Sequence, residues 1–196
     1  MHVSALLLYQ KTDTAIGKEK RKHMKNIVLI GMPGAGKSTV GVVLAKVLGY
    51  DFLDSDLVIQ QKDGRLLSQI IAEEGTDGFI RIENQVNAGL DVTRSVIATG
   101  GSVVYGTEAM EHLKSIGTVV YLKLTYQTIE NRLGDLKNRG VVLREGQTLA
   151  DLYRERTSLY EKYADVTIEE DGLSIPETVS KIAAAYKEKQ KDRIEL

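Results

Sequence analysis

The sequence predicts an α/β domain in which a parallel sheet is covered by helices on both faces. Short apolar runs at 27–30, 50–53, 95–99, 118–124 and 166–168 alternate with segments whose apolar residues recur at helical spacing. The first run leads into Gly31-x-x-x-x-Gly36-Lys37-Ser38, a phosphate-binding loop pattern, and then directly into a helix. No internal repeat or low-complexity linker interrupts the alternation, and 196 residues are most simply one domain with a real core.

Taken in order, Ile27 to Ile30 form a buried strand. Val40, Val43, Leu44, Val47 and Leu48 then mark one face of a helix that stops at Gly49. Between them, Gly31, Gly34 and Gly36 permit backbone N–H groups to converge on an anion at the positive end of that helix. Lys37 is suited to the β- and γ-phosphates of ATP, and the Ser38 hydroxyl to Mg²⁺. Gly34, Ala35, Gly36, Lys37, Ser38 and Thr39 are therefore the nucleotide-binding candidates.

The second strand ends at Asp54-Ser55-Asp56, where a carboxylate would face the phosphates across the carboxyl edge of the sheet. If the chain stays extended, both aspartates point the same way; alternatively Asp56 caps a helix. Residues 57–91 read as helical, with breaks at Gly64 and at 75–78. Their apolar stripes, Leu66, Leu67, Ile70, Ile71 and then Phe79, Ile82, Val86, Leu90, suggest a helical flap over the crevice. The strand at 95–99 runs into Gly100-Gly101, where backbone can approach a ligand closely or simply turn.

A helix at 107–115 precedes the strand at 118–124, and a helix at 128–133 leads into a basic, glycine-interrupted stretch, about 134–147. With Lys137, Arg139 and Arg144, preceded by Arg132, this stretch suits a closing lid, or an ordinary charged surface loop. A helix at 149–163 and the strand at 166–168 follow. Ser174-x-x-Glu177, with Pro176 in the first turn, opens the final helix.

Composition narrows the function. The chain is 42% hydrophobic and 27% charged, contains no cysteine and has no apolar run of membrane-spanning length, which predicts a cytoplasmic protein without disulfides. Residues 1–25 carry six Lys/Arg against two Asp/Glu, so they are basic while the whole chain is −1. Because interleaved aromatics are lacking, residues 1–24 read as a disordered extension and not a nucleic-acid-binding arm, leaving 25–196 as the functional domain. No Asn-Lys-x-Asp for reading guanine is present, and no strand ends in the Asp-Glu of a motor ATPase. Phosphoryl transfer to a small hydroxyl compound is the better fit, with no nucleic-acid, membrane or obligate protein partner expected.

From about 25 to 186 the chain resembles the shikimate kinases, within the nucleoside-monophosphate-kinase-like P-loop proteins. The resemblance lies in GMPGAGKST (31–39), FLDSD (52–56), FIRIE (79–83), TGGS (99–102), Arg132 and Arg139 seven apart, and RTSLYEKYAD (156–165). It implies a three-layer fold with a five-stranded sheet in the order 2-3-1-4-5, a substrate flap and a mobile lid. It also implies ATP and Mg²⁺ as cofactors and shikimate as acceptor. Carried over, Asp56 holds the acceptor hydroxyls and acts as base, Asp54 reaches Mg²⁺ through water, and Gly100 and Gly101 face the substrate. Arg156 binds its carboxylate, Arg139 is the lid arginine and Arg132 lies near adenine.

Three positions depart from the family. Two consecutive arginines are replaced by Ile80-Arg81, the third glycine of a Gly-Gly-Gly by Ser102, and the proline after the lid arginine by Gly140. Arg81 is about 100° around the helix from Ile80 and should point elsewhere. The nucleotide half is intact and the acceptor half altered. A different polyol or hydroxy acid as acceptor, or a nucleotide-binding regulatory module, are the alternatives.

Overall fold

The computed structural model describes residues 25–133 and 146–192. The expected basic extension and most of the expected lid, including Lys137, Arg139, Gly140 and Arg144, lie outside the described residues.

Strands β1 (Asn26–Ile30), β2 (Asp51–Asp54), β3 (Ser95–Ala98), β4 (Gly117–Lys123) and β5 (Val166–Glu169) form one parallel sheet in the order β2-β3-β1-β4-β5. This is the order the resemblance implies. Strand β1 lies at the centre with every residue buried, which is why Ile27 to Ile30 form a continuous apolar run and not an alternating one. Among the described residues seven α-helices flank the sheet: α1 (Lys37–Leu48), α2 (Ser55–Asp63), α3 (Leu67–Ala88), α4 (Thr107–Ile116), α5 (Tyr126–Leu133), α6 (Leu149–Tyr163) and α7 (Ile175–Asp192).

Local chemistry sets the helix ends. Helix α1 stops where Gly49 enters the left-handed region at φ 67°. Helix α6 opens on a capping box in which Thr148 accepts from the Asp151 amide and Asp151 accepts from that of Thr148. At α7, Glu177 reaches back to the Ser174 amide at 2.8 Å, the contact expected from the sequence.

One expectation needs correction. The chain does not stay extended through Asp56: helix α2 begins at Ser55 and Asp54 is its N-cap, accepting from the Asp56 amide at 3.0 Å. An unpaired helix start close behind a strand end is satisfied by the nearest carboxylate, and that turns the chain one residue after Asp54. Both breaks expected between 57 and 91 are present: α2 ends at Gly64 (φ 83°), and α3 is kinked at Gly75 (φ 70°, ψ −179°), with the helix resuming directly after it. Ile59, Ile70, Phe79 and Val86 form a small apolar cluster there, separate from the main core. Leu66 is 60% exposed and off this cluster, while Leu90 joins the main core.

Below the sheet, Asn26 is buried and secures three chain segments at once. Its Nδ2 donates to the Val92 and Ile116 carbonyls at 2.7 and 3.2 Å, and its Oδ1 accepts from the Ser95 amide at 2.9 Å. This fixes the register in which β1 enters between β3 and β4. Asn26→Ala leaves these backbone groups without their partner, so urea denaturation is expected to show a loss of about 2–4 kcal/mol in unfolding free energy.

Candidate active site

The site lies at the carboxyl end of β1 and β3. The loop from Gly31 to Gly36 adopts the backbone its glycines allow, with Gly31, Gly34 and Gly36 all at positive φ. The amide groups that begin α1 are thereby exposed as an anion cradle. A cleft beside it is lined by Gly34, Gly36, Lys37, Ser38, Thr39 and Asp56, so the loop candidates and the acidic candidate share one space. Ala35 faces a second cleft, shared with Arg132.

Lys37 is 8% exposed and its Nζ donates to the Gly31 and Met32 carbonyls at 2.8 and 3.0 Å. Burial holds its pKa down at about 8, against an opposing pull from Asp56. A buried ammonium whose hydrogen bonds among the described residues go only to carbonyls gains most when an anion arrives. Ser38 and Asp54 meet directly, the hydroxyl donating to Asp54 Oδ2 at 2.7 Å, while the other Asp54 oxygen is occupied by the helix cap. One hydroxyl and one carboxylate oxygen, side by side at the mouth of an anion cradle, are hard donors suited to Mg²⁺ bound mainly by water and phosphate.

Across the cleft the two-glycine turn after β3 is crowded. A Cβ built on Gly100 would lie 2.2 Å from Glu83 Oε1 and 2.9 Å from Asp56 Oδ1. One on Gly101 would lie 2.8 Å from the Pro33 ring and 3.1 Å from Arg156 Nη1. Both glycines are therefore required by the close approach of neighbouring side chains. Tyr160 fixes the turn by donating to the Gly101 carbonyl at 2.6 Å. Arg156, 2% exposed, donates from Nε to Tyr105 at 3.4 Å and packs over that ring at 5.3 Å. Pro33, Asp56, Phe79, Gly100, Ser102 and Arg156 line a pocket of about 130 Å³.

Glu83 was not singled out as a site residue from sequence, yet it is 1% exposed and packs against the Gly100 turn behind the pocket-lining residues. Ser102 donates to its Oε2 at 2.5 Å, and among the described residues its Oε1 has no hydrogen-bond partner. Asp56 Oδ1 is likewise unpartnered. Burial pushes the Glu83 carboxyl up to about 7, moderated by the Ser102 bond and raised further by Asp56. Burial also raises Asp56, as does the charge of Asp54. The signal that marks Glu83 in the sequence is its place in FIRIE, one helical turn beyond Ile80. Ile80 is half-buried and Arg81 exposed, so Arg81 does not take over the position, as its place on the helix predicts.

A phosphate loop after the first strand of a 2-3-1-4-5 sheet, with a carboxylate facing it, defines a P-loop phosphotransferase of the nucleoside-monophosphate-kinase type. Comparison with known proteins resolves the family: the shikimate kinase family model matches residues 33–187. The shikimate kinase of Thermodesulfovibrio yellowstonii is 40% identical over 83% of this chain and 95% of its own length. That of Methylococcus capsulatus is 39% identical over 84% and 94%. Among solved structures, a shikimate kinase from Acinetobacter baumannii in complex with shikimate aligns at a TM-score of 0.76 with 37% identity, covering 84% of this chain and 94% of that one. The Aquifex aeolicus enzyme aligns at 0.72 with 31% identity, over 83% and 96%. The chain belongs to the shikimate kinase family.

Because Glu83 has a folded pKa above its unfolded value, the stability it contributes is complete below about 4.5 and is lost as pH rises through about 7. At about 1.4 kcal/mol per unit, wild type should lose about 3 kcal/mol relative to Glu83→Gln over that interval. Urea melts of both proteins between pH 4.5 and 8 measure the difference.

Proposed function

We propose that this protein transfers the terminal phosphoryl group of ATP to a hydroxyl of shikimate. The observation that carries the reading is the juxtaposition of Asp56 with the phosphate loop and the two-glycine turn in one cleft. Family membership and the shikimate-bound relative support the choice of acceptor.

In this reading Gly34 to Thr39 cradle the phosphates, and Lys37 leaves its carbonyl partners to neutralise charge on the transferring group. Asp56, with one free oxygen and a raised pKa, accepts a hydrogen bond from the acceptor hydroxyl, orients it for attack and takes its proton. Arg156 holds the acceptor carboxylate, positioned by Tyr105. Ser38 and Asp54 would hold Mg²⁺, which would supply positive charge to offset that of the phosphates. Arg132 donates to the Gly34 carbonyl at 3.3 Å and flanks the cleft assigned to the base. Arg139 is assigned as the lid arginine by resemblance alone.

A second reading is favoured by Ile80. One cation of the family's acceptor clamp is absent, so an acceptor with a weaker anionic handle remains a competing substrate.

Lys37→Met is expected to keep the melting profile and to lower turnover by about 10²–10³-fold in a coupled ADP-release assay with shikimate. Retained activity would remove Lys37 from the mechanism. Ile80→Arg restores a charged contact worth about 1.5–3 kcal/mol, and should lower the Michaelis constant for shikimate about ten- to a hundredfold. An unchanged constant, together with release of ADP on another hydroxy acid, would favour the second reading.

A further inference from the structure

One wall of the acceptor pocket belongs to a stretch of α3 that a kink sets apart. Leu67, Ser68 and Ile71 line the pocket, and all three precede Gly75, whose φ of 70° and ψ of −179° interrupt the helical backbone. The position of residues 67–74 is therefore not dictated by the helical geometry of 76–88. It has to come from the segment's own contacts with α2.

Two of those contacts are ordinary packing and capping. Ile70 shares the small apolar cluster with Ile59 of α2, and the Gln60 side chain accepts from the Leu67 amide at 3.2 Å. The third is a charged clasp at Arg65, which lies between the two helices. Its Nε and Nη2 donate to Oδ1 and Oδ2 of Asp63, the last residue of α2, at 2.6 and 3.0 Å, a bidentate fork. Nη1 donates to Glu73 Oε2 at 2.6 Å and to Glu74 Oε1 at 3.2 Å, and Nη2 shares the Glu74 oxygen at 3.2 Å. One guanidinium thus joins the end of α2 to the last two residues before the kink.

We propose that Arg65 is a positioning residue for the acceptor: by clasping Asp63, Glu73 and Glu74 it sets residues 67–74 where Leu67, Ser68 and Ile71 complete the pocket wall. The proposal rests on the reading of that pocket as the acceptor site. Arg65 does not line the pocket and acts through the wall. Apolar contact at Ile70 governs how closely the segment approaches α2 but is non-directional, whereas a planar fork with fixed donors also governs its orientation. A lone exposed ion pair would contribute little, and bidentate geometry with a cation shared among several carboxylates is the arrangement in which such contacts count. The Asp63 side chain is 16% exposed and shelters the fork, while those of Glu73 and Glu74 are 60% and 41% exposed and open to screening by salt.

The test compares wild type with Arg65→Ala, Arg65→Lys and the double substitution Glu73→Gln, Glu74→Gln, in the coupled ADP-release assay and by hydrogen exchange of the ligand-free protein. Arg65→Ala is expected to raise the Michaelis constant for shikimate about three- to tenfold, while kcat and the constant for ATP stay within about twofold. Exchange at the amides of 67–74 should quicken by about the same factor, with none at 34–39. The double glutamine variant keeps the Asp63 fork and should move both readouts the same way by less. Arg65→Lys, a charge without a fork, should fall between alanine and wild type. Raising NaCl from about 0.05 M to about 1 M should increase the shikimate constant more in wild type than in Arg65→Ala, since only wild type has a clasp to screen. An unchanged shikimate constant in Arg65→Ala overturns the proposal, as does unchanged exchange at 67–74 or an equal rise in the constant for ATP. Failure of wild type to phosphorylate shikimate would instead overturn the acceptor reading, and exchange at 67–74 would then decide by itself whether Arg65 holds the wall.

Discussion

Four charged side chains meet where water is least able to solvate them, and the site is arranged around making that tolerable. Lys37 comes from α1, Asp56 from α2, Glu83 from α3 and Arg156 from α6, and all converge on the Gly100–Gly101 turn. Any one of them buried alone would cost several kcal/mol. Together, two cations and two carboxyls bring the local charge close to zero. Phosphate and acceptor enter a region whose electrostatics are already fixed, which is the condition for stabilising transient charge without reorganisation.

That arrangement couples positions that look independent in the chain. An arginine at position 80 would sit one helical turn from Glu83 and supply its countercharge. With Ile80 there, the carboxyl relies on the Ser102 hydroxyl, which occupies the place of a family glycine. The two departures compensate one another in part: a full charge is replaced by a neutral donor, and the carboxyl shifts toward its protonated form.

Much of this was legible in the sequence for physical reasons. Strand β1 and helix α1 were readable because burial on both faces makes a strand continuously apolar and because helix periodicity is unbroken to Gly49. The loop residues were readable because backbone geometry demands glycine at fixed spacing. Asp54 and Asp56 were found, but their relation was misread, since a side chain capping a helix outcompeted one more residue of strand. Glu83 escaped because nothing local distinguishes a buried glutamate on a helix from a solvated one; what sets it apart is a tertiary neighbour, Ser102. Strand order came from family likeness and not from periodicity, which carries no information on which strands are adjacent.

The interruption of α3 at Gly75 has a mechanical consequence. Ile70 precedes it and Phe79 follows it, yet both pack with Ile59 in the same small apolar knot, apart from the large core. The knot therefore ties the segments before and after Gly75 to one another and to α2, so a change in any of its side chains is felt on both sides of the kink.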